Sequence, residues 1–334
     1  MVAWAFGGSR LTTRGSRLSP DGHCARSAAA WTLLGTHLQE RYGIEVAAVT
    51  ALDAGVSRVD RRDGPSWVAR VFPSDRPVAD IEAEAELLKR LAGSGFPAER
   101  CAHEEPVSAF DGQGVLVTEF VAPAAPLRPG RPAALLGGML GALHSHPATR
   151  LRRGGAWHHL SFTGGPREEI AAARELLDDA VGRVPARQLG MFDRLREAVE
   201  RTDDCDDLPH ALVHPDCVPA NAIPTPDERL VLVDWTGAGR GPRLWSLGFL
   251  LWAAGAVHPR LIELAVSRYG RRVSLEPEEL ARLEGAIAGR PLMLDCWSFC
   301  HGRRSLAETV ERMDASIELA HRIAAQARQA FAAP

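Results

Sequence analysis

One stretch constrains this chain more than any other. Residues 212–247 read LVHPDCVPANAIPTPDERLVLVDWTGAGRGPRLWSL. Two apolar runs of strand length, Ala211–Val213 and Leu230–Val233, are each bounded by turn-forming residues and so predict short strands. The first delivers His214, Asp216 and Asn221 in an H-x-D-x-x-x-x-N pattern. The second delivers Asp234, then Trp235 and a glycine-rich turn. A hairpin whose Asp and Asn merely cap turns accounts for either motif alone. Both motifs together, each at a strand end, point to a site.

Phosphoryl transfer needs such a set: a carboxylate to accept a hydroxyl proton, with an amide and a second carboxylate to hold magnesium over phosphates. On these residues the chain resembles the aminoglycoside phosphotransferase and choline kinase family, small-molecule relatives of protein kinases. The resemblance spans roughly residues 45 to 300 by order of motifs. It implies an α+β, bilobal, protein-kinase-like fold with a small β-rich N-lobe and a larger, mainly helical C-lobe. It also implies Asp216 as catalytic base, His214 as an orienting residue, and Asn221 and Asp234 as magnesium ligands.

At 334 residues the chain is long enough for two lobes. The expected division is a disordered tail over 1–26, a nucleotide-binding lobe over 27–121 and a catalytic and acceptor lobe over 122–334. With 46% hydrophobic and 24% charged residues the composition is that of a soluble globular protein. A net charge of −3 gives no sign of the basic face a nucleic-acid partner would need. The longest apolar run, Leu244–Val257, is too short to span a bilayer and reads as a buried helix. Residues 1–26 lack the sustained apolar core of a secretory signal. Six scattered cysteines, without C-x-x-C pairs, fit free thiols in a reducing cytoplasm. A monomer or homodimer is expected.

Upstream of the catalytic stretch the order is helix, strand, glycine turn, strand, hairpin, strand, helix, strand. Gly55 and Ser57 occupy the turn where the family often has G-G-x-S-N; here it is A-G-V-S-R. The resemblance makes them candidates to cover phosphates. Val68-Ala69-Arg70-Val71 resembles the kinase V-A-I-K strand, with Arg70 as the phosphate-pairing cation; a guanidinium can fork onto two oxygens where Lys is a point charge. In the helix around Ile81–Leu91, Glu84 aligns best with the glutamate that holds this cation, while Glu82 and Glu86 read as a solvated face. The strand Gly114–Val121 runs into a Pro-rich connection, and the resemblance gives the Glu119 carbonyl and Val121 amide as adenine contacts.

Downstream, Ser246 stands where the family commonly has an Asp that braces the catalytic loop. Helices are expected over Pro259–Tyr269, Pro277–Ala288, Pro291–Cys300 and Ser305–Phe331. Glu278, Glu279, Asp295, Trp297 and His301 are candidates to line the acceptor pocket. His144 and His146 read as structural, and the acidic run Asp203–Asp207 as a solvated loop.

The implied activity is transfer of the γ-phosphoryl group from Mg-ATP, or Mg-GTP, to a hydroxyl of a small molecule, of which an aminoglycoside-type antibiotic is the name-giving class. Two other readings are carried: a kinase tailoring a metabolite or peptide hydroxyl, and a non-catalytic kinase-fold protein that binds nucleotide. The thinned glycine loop, Arg70 and Ser246 favour the last. The intact Asp216, Asn221 and Asp234 oppose it.

Overall fold

The computed structural model of the chain describes residues 28–147, 151–161 and 163–333. The expected tail over 1–26, with Cys24, lies outside them. The described chain divides into two compact units. One runs up to Ala124 and also contains Val231–Val233; the other comprises Ala125–Leu230 and the chain from Asp234 onward.

The first unit is built on a five-stranded antiparallel sheet. After helix α1 (Ala28–Tyr42) come β1 (Val46–Asp53), β2 (Val56–Arg61), β3 (Trp67–Val71), helix α2 (Val78–Gly93), β4 (Val107–Phe110) and β5 (Gln113–Glu119). Spatial order is β1-β2-β3-β5-β4. Alternation decides what each face does. Trp67, Ala69 and Val71 of β3, with Val115 and Val117 of β5, form one core with Leu34, Leu38 and Tyr42 of α1. The opposite face carries α2, whose Ile81 lies so close to β5 that a Cβ on Gly114 would stand 2.1 Å from its Cδ1. Arg70 pairs in register with Leu116, so it projects from the face that α2 covers. Strand β4 was not expected from sequence: Val107–Phe110 is only four residues long and carries a serine.

The second unit is mainly helical. It contains α3 (Arg131–His144), α4 (Pro166–Ala180), α5 (Leu189–Glu200), β6 (His210–Val213), β7 (Ala222–Pro224), β8 (Leu230–Leu232, whose last two residues join the first unit), β9 (Gly239–Pro242), α6 (Arg243–Val257), α7 (Arg260–Gly270), α8 (Pro277–Cys300) and α9 (Leu306–Ala332). Strands β6 and β9 form one antiparallel pair; β7 and β8 form another two-stranded sheet. Ile170 and Leu177 of α4, Phe192 and Leu195 of α5, Trp245 of α6, Met293 of α8 and Val310 of α9 share a core. Among the described residues no helix is long and apolar enough to cross a membrane.

One expectation is corrected. The two helices expected on either side of Pro291 are a single helix, α8, with Pro291 inside it. An internal proline forfeits one backbone rung and costs about 3 kcal/mol. Residues Leu283, Ala286, Ile287, Leu292, Met293, Cys296 and Trp297 are all buried along α8. Burial of that many side chains outweighs the lost rung.

His144 is structural, as expected. At the end of α3 it is buried, with Nδ1 2.9 Å from the Tyr269 hydroxyl of α7. Burial, helped by the charge of Arg243, lowers its pKa from 6.5 to about 3. Below about pH 6.5 the unfolded chain therefore binds a proton that the folded chain refuses, and stability falls as pH drops. Up to about 1.4 kcal/mol is lost per pH unit. Thermal melting of wild type and His144→Phe between about pH 7 and pH 5 checks this: the wild type should lose more stability on acidification than the variant.

Candidate active site

The β6–β9 pair presents the site. Val213 ends β6 opposite Gly239, so the loop after β6 and the turn before β9 emerge side by side. His214 is fully buried, edge-on to the equally buried Trp235 at 4.8 Å between ring centroids. Its Nδ1 accepts the amide of Asp216 at 3.0 Å. The Asp216 carbonyl accepts twice, from the Val218 amide at 2.9 Å and from the Asn221 side-chain amide at 3.0 Å. Asn221 thus closes the loop on Asp216, and His214 holds the loop from the inside.

Asp234 follows β8 with φ +66, a left-handed conformation that Asp tolerates better than most residues but that still stores strain. Two residues beyond the buried Trp235, Gly237 has φ +82, and a Cβ there would stand 2.6 Å from the Ala156 carbonyl oxygen and 3.5 Å from Pro215. The turn after Asp234 is thereby pressed against the segment 154–157 and lies in ordinary contact with Pro215 of the loop after β6. That segment bonds along the turn, Gly155 N–H to Gly237 O at 2.9 Å and Gly154 N–H to Arg240 O at 2.9 Å.

Electrostatics mark the same place. The Asp216 carboxyl is raised to about 6, chiefly by burial; Arg290 opposes the rise, Asp234 adds to it and the Asn221 amide opposes it. Behind the loop lies a fully buried ion pair, Arg290 of α8 with Glu169 of α4, at 3.2 Å. Arg290 also donates to Gly155 O at 2.8 Å, and Glu169 accepts the Trp157 amide at 2.8 Å. Burial pushes the Glu169 carboxyl up, against the pull of Arg290. Neither residue was expected from sequence. The signal was there: a lone arginine inside the apolar run of α8 is a candidate buried counter-charge.

Among the described residues no group of three or more His, Cys, Asp or Glu could hold a metal. A carboxylate and an amide near one another suit magnesium nonetheless, because this ion keeps several waters and takes few protein oxygens beside phosphates. The Asn221 amide bonds to Asp216 O, and the charge of Asp234 reaches the Asp216 carboxyl.

Residues 48–284 match the family described as the phosphotransferase enzyme family. The chain belongs to it. The fold agrees with solved members of the kinase-like class. A choline kinase from Streptococcus pneumoniae is 16% identical, with a TM-score of 0.61 over 86% of this chain and 98% of that one. An amicoumacin kinase solved with AMP-PNP, Ca2+ and Ami is 15% identical, with a TM-score of 0.61 over 86% of this chain and 93% of its own. An aminoglycoside phosphotransferase from Alicyclobacillus acidocaldarius is 18% identical, with a TM-score of 0.59 over 87% and 94%. Among curated proteins no sequence matches this one. This phosphotransferase therefore acts on hydroxyl groups, as its family does.

The other expected residues fall as follows. Gly55 has φ +69 in the β1–β2 turn, and its carbonyl accepts the Val71 amide at 2.7 Å. Ser57 is fully buried and its hydroxyl donates to Ala69 O at 3.3 Å, so it serves the sheet rather than presenting itself to a phosphate. Glu84 is buried, while Glu82 and Glu86 are exposed. Glu84 forms an ion pair with Arg76, at 2.7 Å. Arg76 lies just before α2 and stacks 4.1 Å over Phe72, which brings its guanidinium within reach of the helix. Glu119 ends β5 opposite Trp67, and Val121 follows in the connection beyond it.

Two expected pocket residues are committed elsewhere. Glu279 is fully buried against Arg243 at 2.5 Å, and Asp295 pairs with Arg304 and Arg312. The acidic run is held in ion pairs: Asp203 and Asp207 pair with Arg282, Asp204 with Arg167, and Asp206 with Arg153.

Ser246, in the first turn of α6, answers the question its sequence raised. It is buried and donates its hydroxyl to the His214 carbonyl at 2.9 Å. A neutral donor thus braces the loop. Ser246→Ala leaves that carbonyl unsatisfied, at about 1–3 kcal/mol. Thermal melting should show the loss, and steady-state kinetics should show kcat falling more than KM for nucleotide rises.

Proposed function

We propose that this phosphotransferase moves the γ-phosphoryl group of ATP, or GTP, to a hydroxyl of a small molecule, with Asp216 as the base. The observation that carries the reading is the loop itself: Asp216 is held between the His214 ring and the Asn221 amide, with Asp234 close enough to raise its pKa. Asp216 takes the hydroxyl proton as the acceptor oxygen bonds to the γ-phosphorus and the bond to the nucleoside diphosphate breaks. Asn221 and Asp234 would hold magnesium, which neutralises phosphate charge when bound. Arg70 and the Gly55 turn are assigned to the nucleotide phosphates, and the Glu119 carbonyl and Val121 amide to the purine edge.

Support for a nucleotide and a divalent cation comes from the amicoumacin kinase neighbour, solved with AMP-PNP and Ca2+. The neighbours' names span choline, amicoumacin, aminoglycosides and aminopropanol. An aminoglycoside-type antibiotic and a biosynthetic metabolite or peptide hydroxyl are therefore the acceptor classes to screen. The free thiols at Cys101, Cys205, Cys217, Cys296 and Cys300 suit a reducing cytoplasm.

The base assignment predicts a split. Asp216→Asn should cut kcat by about a thousandfold, within the range for loss of a general base, with nucleotide affinity nearly unchanged. Product formation by mass spectrometry, alongside nucleotide binding, measures both. Full turnover in the variant would remove Asp216 from the mechanism.

A further inference from the structure

The segment 152–157 runs beside the turn after Asp234, backbone against backbone. Arg153 forms a parallel bridge with Arg240 of β9. Arg240 N–H donates to Arg152 O at 2.7 Å, Gly154 N–H to Arg240 O at 2.9 Å and Gly155 N–H to Gly237 O at 2.9 Å. Glycines leave no side chain to give way between them. A Cβ on Gly154 would run into Gly239 N, and one on Gly241 into Gly154 O. A Cβ on Gly239 would stand 2.6 Å from Arg152 O, and one on Gly155 would stand 3.1 Å from Val213 Cγ2, at the end of β6. In contacts this close, a shift of the segment must move the turn after Asp234 and press on the strand that leads to His214 and Asp216.

One ion pair holds the segment. Arg290 Nη2 lies 2.8 Å from Gly155 O and 3.2 Å from Glu169 Oε2, and Glu169 Oε2 accepts the Trp157 amide at 2.8 Å. Arg290 is itself set by close seating of α8 on α6. A Cβ on Gly289 would stand 2.5 Å from the Trp245 ring, and one on Gly248 would stand 2.5 Å from Ala286 O. The remaining polar atoms of the pair, Glu169 Oε1 with Arg290 Nε and Nη1, are buried without a hydrogen-bond partner among the described residues. Desolvating two charges offsets most of their attraction, so a buried pair left this incomplete is poorly suited to stabilising a fold. Its two bonded atoms instead serve residues 155 and 157. The charge of Arg290 also reaches Asp216.

We propose that Arg290 and Glu169 are positioning residues: through the segment 154–157 they fix the turn after Asp234 relative to the loop of Asp216. The inference rests on the phosphotransferase reading and adds to its site two fully buried side chains on α4 and α8.

Wild type is compared with the double variant Glu169→Gln, Arg290→Met and with Arg290→Lys. The double variant removes both charges yet keeps an acceptor for the Trp157 amide and much of the arginine stem, so it should melt close to wild type. Hydrogen–deuterium exchange over residues 214–221 and 235–240 reads the two loops. Calorimetric titration of AMP-PNP at a series of magnesium concentrations reads the site they form. In the double variant both stretches should exchange about tenfold faster, and the magnesium concentration that half-saturates AMP-PNP binding should rise about tenfold, the scale for losing a partner behind a metal ligand. Arg290→Lys keeps the charge but not the planar fork, and should shift both readouts the same way by less; it carries the test if the double variant does not fold. Wild-type exchange and wild-type magnesium dependence in the folded variants overturn the proposal. Faster exchange with unchanged magnesium dependence also overturns it, because the pair is then a structural tie only. Wild type that binds no AMP-PNP at any magnesium concentration overturns the phosphotransferase reading itself, and the positioning role falls with it.

Discussion

Two carboxylates, Asp216 and Asp234, are held where each feels the other's charge, in ground where burial removes much of the screening water. Burial is the main cause of the raised pKa of Asp216, and repulsion by the like charge of Asp234 adds to it. A fold keeps such a pair only if other contacts over-determine their positions. Here those contacts are visible: the His214 ring and the Asn221 amide on the loop of Asp216, and the buried Trp235 beside Asp234. Arg290 supplies a fixed positive charge from behind, itself balanced by Glu169. A divalent cation between the carboxylate-bearing loops would offset the repulsion further, which is the physical reason to expect one.

The scaffold follows from that requirement. Strands β6 and β9 align the two loops, and α6 begins immediately after β9, so its first turn can reach back to His214 through Ser246. Helices α4 and α8 meet at the Glu169–Arg290 pair, which grips the segment 154–157 through the Trp157 amide and the Gly155 carbonyl. The same segment bonds along the turn after Asp234. Packing of distant helices is thereby converted into the placement of two loops. Breaking such a buried pair would leave a charge without compensation, about 3–5 kcal/mol in typical cases.

Much of this was legible in the sequence because local pattern carried it. The strand–loop motifs placed Asp216, Asn221 and Asp234 on adjoining loops, and the spacing of Leu87, Leu88 and Leu91 told the buried Glu84 from the exposed Glu82 and Glu86. What escaped depends on long-range pairing. The Arg76–Glu84 pair needs the chain before α2 to fold back onto it, and Glu169–Arg290 joins residues on two separate helices. Ser57 was read as a turn residue, but the register of β2 against β3 turns its hydroxyl to Ala69. Pro291 was read as a break, and only the burial along α8 shows why the helix continues through it.

The central claim is that Asp234 and Asn221 hold a magnesium ion for a nucleotide beside Asp216. Calorimetric titration of ATP and GTP, with and without magnesium, into wild type and Asp234→Asn tests it most directly. The account predicts magnesium-dependent binding of at least one nucleotide by wild type and its loss in the variant. Equal, magnesium-independent binding by both folded proteins, or none by either, would contradict it.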